Sequence, residues 1–360
     1  MDSTQSGAQF IAQFEDRKRG HIRHALDMSN QALGKTRLDE IRLVHEALPE
    51  LDFEEVKIDE PCLGRPMATP FYVAGMTAGH PDAAALNRLL AECSAERGWA
   101  MGVGSQRRQL DVDSKNSPDV DLWRGLREGA PNLMLFANIG ISQLIEADLE
   151  KIKGLVDSIQ AQALCVHVNA LQEVLQPEGT PRFKGAFTAL RETNKKLQAL
   201  RIPLILKETG CGFSKPTLQR LKSIGLAALD VSGLGGTHWG RIEGARAKEQ
   251  PGGRMQAVAA ETFADWGEPT VDSVLAASQM LSRSEIWASG GVRTGLDAAK
   301  LIALGAHRVG YAKPALEAAL QGREALIGWM KQQEFELRVA LFCTGSATPS
   351  TLRKKEGVWK

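Results

Sequence analysis

The chain has 360 residues, 43% of them hydrophobic and 24% charged, and its net charge of +1 gives no reason to expect nucleic acid or an acidic membrane as a partner. No run of about 18 apolar residues is present, and the first ten residues lack the basic start and apolar stretch of a secretory signal. Five scattered cysteines (Cys62, Cys93, Cys165, Cys211 and Cys343) form no C-x-x-C, which argues against a disulfide framework or a zinc site and fits a reducing cytoplasm.

In chain order, residues 1–65 read as an extension ahead of the main domain. They carry a basic knot, Arg17-Lys18-Arg19 with His21, and a helix expected over about 36–47. Eight short apolar runs follow: FYVAG (71–75), AMGVG (100–104), LMLFANIG (133–140), ALCVHVN (163–169), PLILKETG (203–210), AALDVSG (227–233), EIWASGG (285–291) and AHRVGYA (306–312). Amphipathic stretches such as 85–98 and 216–225 lie between them. Continuous apolar strands alternating with amphipathic helices mean a parallel sheet covered by helices. Eight such units predict an α/β fold, a (β/α)8 TIM barrel over 66–345, with an open doubly wound sheet as the alternative and 346–360 as a tail. The connection 234–270 is too long for a turn and one helix, and its Gly- and Arg-rich start reads as a long, lid-like loop.

Each strand leaves into polar or Gly-rich sequence, and in a barrel these exits converge on one rim. SGGVRTG (289–295) and GYAKP (310–314) follow strands seven and eight, the usual place for a phosphate, with Arg293 adding charge. The same glycines also serve as ordinary strand–helix turns. Asn138 offers both donor and acceptor to a pyrimidine-like ring edge. Lys207, nearly the only cation in its strand, would neutralise negative charge on the N1/O2 side of a reduced flavin. Thr77, Ser105, Ser232 and Thr237 add hydroxyls at the same rim, although a lone hydroxyl there is as readily a helix cap.

The stretch HVNALQEVLQPEG (167–179) concentrates polar groups at the exit of the fourth strand. Spacing of two puts His167 and Asn169 on one face, with Val166 and Val168 on the other, which favours an inward pair over a structural one. Taken by itself, Glu173 reads as a surface carboxylate. Beside a diphosphate it would complete a hydrated Mg²⁺ site. Gln106-Arg107-Arg108 leaves the second strand, and with the knot at 17–21 it would clamp such a group if the extension folds over the rim.

The set RKRGHI, AGMTAG, MGVGSQR, ANIG, HVNALQEVLQPEG, KETGCGFS, DVSGLGGTHW, ASGGVRTG and LFCTG, spanning about Arg17 to Thr344, resembles the type 2 isopentenyl-diphosphate isomerases. The resemblance implies a TIM-barrel enzyme that interconverts isopentenyl and dimethylallyl diphosphate with reduced FMN and Mg²⁺, NADPH or NADH serving only as reductant. It implies Arg17, Lys18, Ser105, Gln106, Arg107, His167, Asn169 and Gln172 at the substrate, Gln172, His167 and Asn169 being catalytic. Glu173 would hold the metal. Gly75, Met76, Thr77, Ser105, Asn138, Lys207, Ser232, Thr237, Gly291, Arg293 and Ala312 would hold FMN. A homo-oligomer is also implied. Cys211 and His238 depart from the usual residues at their positions without touching these sets. A 2-hydroxy-acid oxidase would need a His followed by Gly-Gly-Arg after strand seven, and none of the seven histidines stands there. An IMP dehydrogenase would need a Cys in SGLGGTHW, which has none.

Overall fold

A computed structural model of the protein describes residue 21 and residues 23–76, 81–111 and 118–360. Arg17, Lys18 and Thr77 therefore lie outside the described residues. Eight parallel strands close into one barrel in sequence order: β1 (Phe71–Val73), β2 (Ala100–Gly102), β3 (Leu135–Gly140), β4 (Ala163–Val168), β5 (Leu204–Glu208), β6 (Ala228–Asp230), β7 (Glu285–Ala288) and β8 (Arg308–Tyr311). Every expected strand is found, and the open-sheet alternative is excluded because β1 also pairs with β8.

Alternation along the strands divides the core in two. Leu164 and Val166 belong to the large cluster between the strands and the surrounding helices. Ala163 and Cys165 belong to a smaller cluster inside the barrel, with Tyr72, Phe136, Ile205 and Trp287. Trp287 is the centre of this interior, its ring centroid 5.2 Å from Tyr72 and 5.0 Å from Phe136. The barrel is thus a packed plug with no pore through it, and the next inward layer above it is polar. Gly310 is inward on β8 because a Cβ there would come within 2.2 Å of the Tyr72 ring.

Two expectations are corrected. Over 36–47 there is no α-helix, only a 3₁₀ turn at Leu38–Glu40 preceded by Arg37 in the left-handed region at φ 65°. The backbone beyond it is used elsewhere. Arg42 N donates to Lys360 O at 2.9 Å and Val44 N to Val358 O at 2.7 Å, so this strip pairs with the C-terminal residues instead of coiling on itself. The connection between β6 and β7 is not a long loop. The stretch 234–270 folds into two helices, Trp239–Lys248 and Arg254–Thr262, ahead of the outer barrel helix Thr270–Met280. Small residues let them approach closely: a Cβ on Gly244 would meet the Ala260 methyl at 2.3 Å. Gly-rich composition here marks tight helix packing, which the same residues in isolation do not distinguish from a loop.

Replacing Trp287 by Ala should open a cavity in the barrel interior and lower the apoprotein's stability by about 3–5 kcal/mol, read as a lower urea midpoint. A loss below about 1 kcal/mol would mean that the interior does not depend on this ring.

Candidate active site

The described residues form a deep cavity of about 1,710 Å³, open mouth included, at the C-terminal ends of the strands. Its floor is the polar layer above the Trp287 plug. Register places Asn138 beside Cys165, His167 beside Lys207, and Lys207 beside Asp230. The inward face that begins as Cys165 on β4 therefore continues as His167, and on β5 Ile205 continues as Lys207.

These groups hold one another in place. The Asn138 amide donates from Nδ2 to Val103 O (2.9 Å), which turns its Oδ1 toward His167 Nδ1 (2.9 Å). His167 Nδ1 therefore carries its proton and donates. Lys207 Nζ donates to Asp230 Oδ2 at 2.6 Å and to Ser289 Oγ at 3.1 Å, and Tyr72 donates to the same Asp230 oxygen at 2.5 Å. Burial, followed by the negative charge of Asp230, pushes the Tyr72 phenol far above its usual range. Ser232, on the cavity wall, sits in the left-handed region at φ 36°, its N–H 3.3 Å from Asp230 Oδ1.

At one end of the cavity lie Gly290 and Gly291, with φ of 99° and 75°. Side chains there would collide with Gly233 O and with Thr36 and Gly235, so only glycine fits. Arg293 and Lys313 face the same end. Burial lowers the pKa of both. Arg293 donates only to the neutral Gln31 amide (2.9 Å), and Lys313 to Leu26 O (2.9 Å), with the Glu317 carboxylate 3.8 Å away. Two partly desolvated cations beside two glycines whose backbone borders the cavity suit a phosphate.

The other end holds His21, Arg107, Gln172, Glu173 and Trp239. Asn169 Nδ2 donates to Gln172 Oε1 (2.9 Å), and Gln172 Nε2 donates to Glu243 Oε1 (2.9 Å). His21 Nε2 lies 2.9 Å from the same Glu243 oxygen, and Arg246 pairs with its other oxygen. Burial alone would raise the Glu243 carboxyl, but His21, Arg246 and Gln172 hold it down to about 2. The Glu173 carboxylate accepts from Thr180 N at 2.5 Å and from Asn169 Nδ2 at 3.3 Å, and it still borders the cavity.

Of the residues singled out from the sequence, Gly75, Met76, Ser105, Arg107 and Asn138 reach this cavity, as do His167, Asn169, Gln172 and Glu173. So do Lys207, Ser232, Thr237, Gly291, Arg293 and Ala312. Gln106 does not. It is buried in the wall, accepting from Asn138 N (3.0 Å) and donating to Gln109 Oε1 (2.8 Å) and Leu155 O (3.3 Å). It braces Asn138 in place of meeting a ligand. The sequence reading missed Asp230, Ser289, Glu243 and Lys313. Glu243 stands four residues after Trp239, a helical spacing, but the segment had been read as loop. Asp230 ends an apolar strand, and only the barrel register shows that it meets Lys207.

A family model described as FMN-dependent dehydrogenase matches residues 186–359. An isopentenyl-diphosphate delta-isomerase of Legionella pneumophila is 49% identical over 344 residues, 96% of this chain and 98% of that protein. One from Bdellovibrio bacteriovorus is 49% identical over 349 residues, with the same coverage. One from Halobacterium salinarum is 39% identical, covering 98% of this chain and 95% of its own. Among solved structures, a mandelate oxidase variant carrying an FMN adduct aligns with a TM-score of 0.61 at 16% identity, covering 89% of this chain and 88% of that one. A flavocytochrome b2 variant with benzoylformate aligns with a TM-score of 0.65 at 19% identity, covering 91% and 77%. At such identities these structures establish the barrel alone.

Arg293→Leu should raise the dissociation constant for FMN roughly ten- to hundredfold, the weight of one charge-assisted contact of about 1.5–3 kcal/mol. Recovery of free-FMN fluorescence measures it. An unchanged constant would place the phosphate away from Arg293.

Proposed function

The chain belongs to the FMN-dependent, type 2 isopentenyl-diphosphate delta-isomerases, and from that premise we propose how its residues move the double bond of isopentenyl diphosphate to give dimethylallyl diphosphate. Glu173 would hold Mg²⁺ together with the diphosphate, NADPH or NADH would serve only to reduce the flavin, and Asn138, His167 and Lys207 form the floor over which the substrate would lie. The observation that carries this reading is the two-ended cavity. Gly290–Arg293 and Lys313 line it from the exits of β7 and β8, and Arg107, Gln172 and Glu173 from the exits of β2 and β4, which the closed strand order sets apart on the rim, with the polar floor among them.

The donor set fits FMN. The cradle suits its phosphate, and the ring of amide, imidazole and ammonium groups suits a flat heterocycle with polar edges. When bound and reduced, FMN would supply an electron-rich face and exchangeable protons next to the alkene. The chain's own groups do the rest. Moving a double bond needs a proton gained at one carbon and lost at another, with no net redox change. Gln172 borders the cavity with its carbonyl committed to Asn169 and its amide nitrogen to Glu243 at 2.9 Å and Gln176 Oε1 at 3.5 Å, so the amide is held in one orientation rather than free to rotate. A carboxylate held near 2 is a weak base. Glu243 therefore serves to fix the Gln172 amide and the His21 ring, not to retain a proton. His21 packs edge-on against Trp239 at 5.2 Å, so His21 and the helix Trp239–Lys248 together narrow the mouth and help exclude water.

Among the described residues no cluster of three or more His, Cys, Asp or Glu side chains forms a metal cage. A single carboxylate suits Mg²⁺ only if ligand oxygens and water complete its six positions. The metal would thus arrive with the diphosphate, and Arg107 would share the charge. Holding that remote group supplies the binding energy that orients the alkene.

Purified protein should be yellow and should convert isopentenyl diphosphate only when its flavin is reduced and Mg²⁺ is present, with far less than one NADPH consumed per turnover. Conversion that persists after flavin removal would sink the mechanism. Glu173→Gln should shift the Mg²⁺ dependence of activity to at least tenfold higher concentration, and an unaltered Mg²⁺ titration would remove Glu173 from that role.

A further inference from the structure

Lys207 is the only side-chain cation of the cavity floor among the described residues, and it is not a free charge. Its ammonium meets Asp230 at 2.6 Å, and Asp230 is itself almost wholly buried beneath the floor. Groups from every neighbouring strand close around the pair. Ser289 donates to Asp230 Oδ1 at 2.7 Å from the end of β7, and Tyr72 donates to Oδ2 from β1. From β4, Cys165 lies below and His167 beside Lys207 in register, and Asn138 follows on β3. Burial pushes the Cys165 thiol up to about 12, so it adds no charge. The Tyr72 phenol stays protonated for the same reason. The pair itself is one ammonium and one carboxylate, and the buried Glu208 carboxyl next to Lys207 on β5 is taken up by the N–H groups of Thr209, Gly210 and Cys211 on the turn that follows.

We propose that Asp230 is a positioning residue that offsets the Lys207 charge, so that the reduced cofactor above meets a hydrogen-bonding but net-neutral floor and its N1 stays more basic than Lys207 alone would leave it. This rests on the reading that FMN occupies the cavity. Two electrons and one proton give reduced flavin as an anion at N1, and a second proton gives the neutral form. Charge near N1 sets the balance between the two and moves the reduction potential with it. An uncompensated ammonium would favour the anion and raise the potential, as suits an enzyme that must draw electrons from its substrate. A double-bond shift with no net redox change gains nothing from a high potential. It gains from a cofactor that exchanges protons readily.

The test uses FMN-loaded protein and two readouts other than activity: the midpoint potential, by anaerobic spectrophotometric titration, and the apparent N1 pKa, from the absorbance of the reduced protein against pH. Asp230→Asn should stabilise the reduced anion tenfold or more. That raises the two-electron midpoint by about 30 mV for each factor of ten and lowers the N1 pKa by one unit or more. Lys207→Met should move both numbers the opposite way, and the double variant should return close to the parent. If Asp230→Asn alone does not fold, adding it to Lys207→Met must still raise the midpoint. The proposal is overturned if Asp230→Asn, alone or on the Lys207→Met background, retains FMN and leaves both numbers in place, or if the two single changes shift them in the same direction. Parent protein that binds no FMN would instead remove the cofactor reading on which the proposal stands.

Discussion

A closed parallel barrel gives each strand a single inward face, and side chains on that face have nowhere to go except toward one another. The whole site follows from this constraint. Trp287, Tyr72 and Phe136 fill the lower interior with rings, and the next inward position on each strand must then be something that can live beside its neighbours at the rim. Asn138, His167, Lys207 and Asp230 occupy that layer, and each satisfies another: amide to imidazole, ammonium to carboxylate. Buried polar groups are tolerated only when they are paired. The floor of the cavity is therefore rigid before any ligand arrives, as a site that must orient a small alkene requires.

A second constraint acts across the mouth. His21 and residues 23–32 are laced to the rim by backbone and side chains. Ala32 N donates to Gly236 O at 2.7 Å, His238 N to Asn30 O at 3.0 Å, and Arg293 reaches Gln31. The same strip supplies His21 to the Glu243 cluster. One run of chain thus touches both the phosphate end and the end at Gln172, and the connection between β6 and β7 meets it from the other side. The two helices in that connection give Glu243 and Trp239 a stable platform, whereas a loose loop would leave the Gln172 amide without its anchor. After β7 this chain carries Ser289-Gly290-Gly291-Val292-Arg293 and no histidine, where a 2-hydroxy-acid oxidase would need one.

Much of the barrel was legible because its signals are local. Eight apolar runs of strand length, each ending in Gly or a polar residue, announce the strands and the rim, and the period-two spacing of His167 and Asn169 predicts their common face. Gln106 was misplaced because SQR looks continuous in sequence, while the backbone bend after β2 sends Ser105 and Arg107 to the cavity and Gln106 into the wall. The helix expected over 36–47 failed because a competing backbone partner, the C-terminal strip, is more than 300 residues away in the chain. The helical pair in 234–270 was hidden by glycines whose purpose is close packing against a neighbouring helix.

The sequence by itself determined the alternating pattern, the family and most of the residues that border the cavity, because periodicity and residue type are properties of a single strand or loop. Only the tertiary structure decided how those residues are paired. That Lys207 is neutralised by Asp230, that Gln172 is held by Glu243, and that Gln106 faces away depends on strand register and on the turn of each exit, which bring together groups 23, 71 and 32 positions apart. Electrostatic character belongs to such pairs and to their burial, not to the residue named in the chain, and for that reason the charge of the floor could be read only once the barrel was closed.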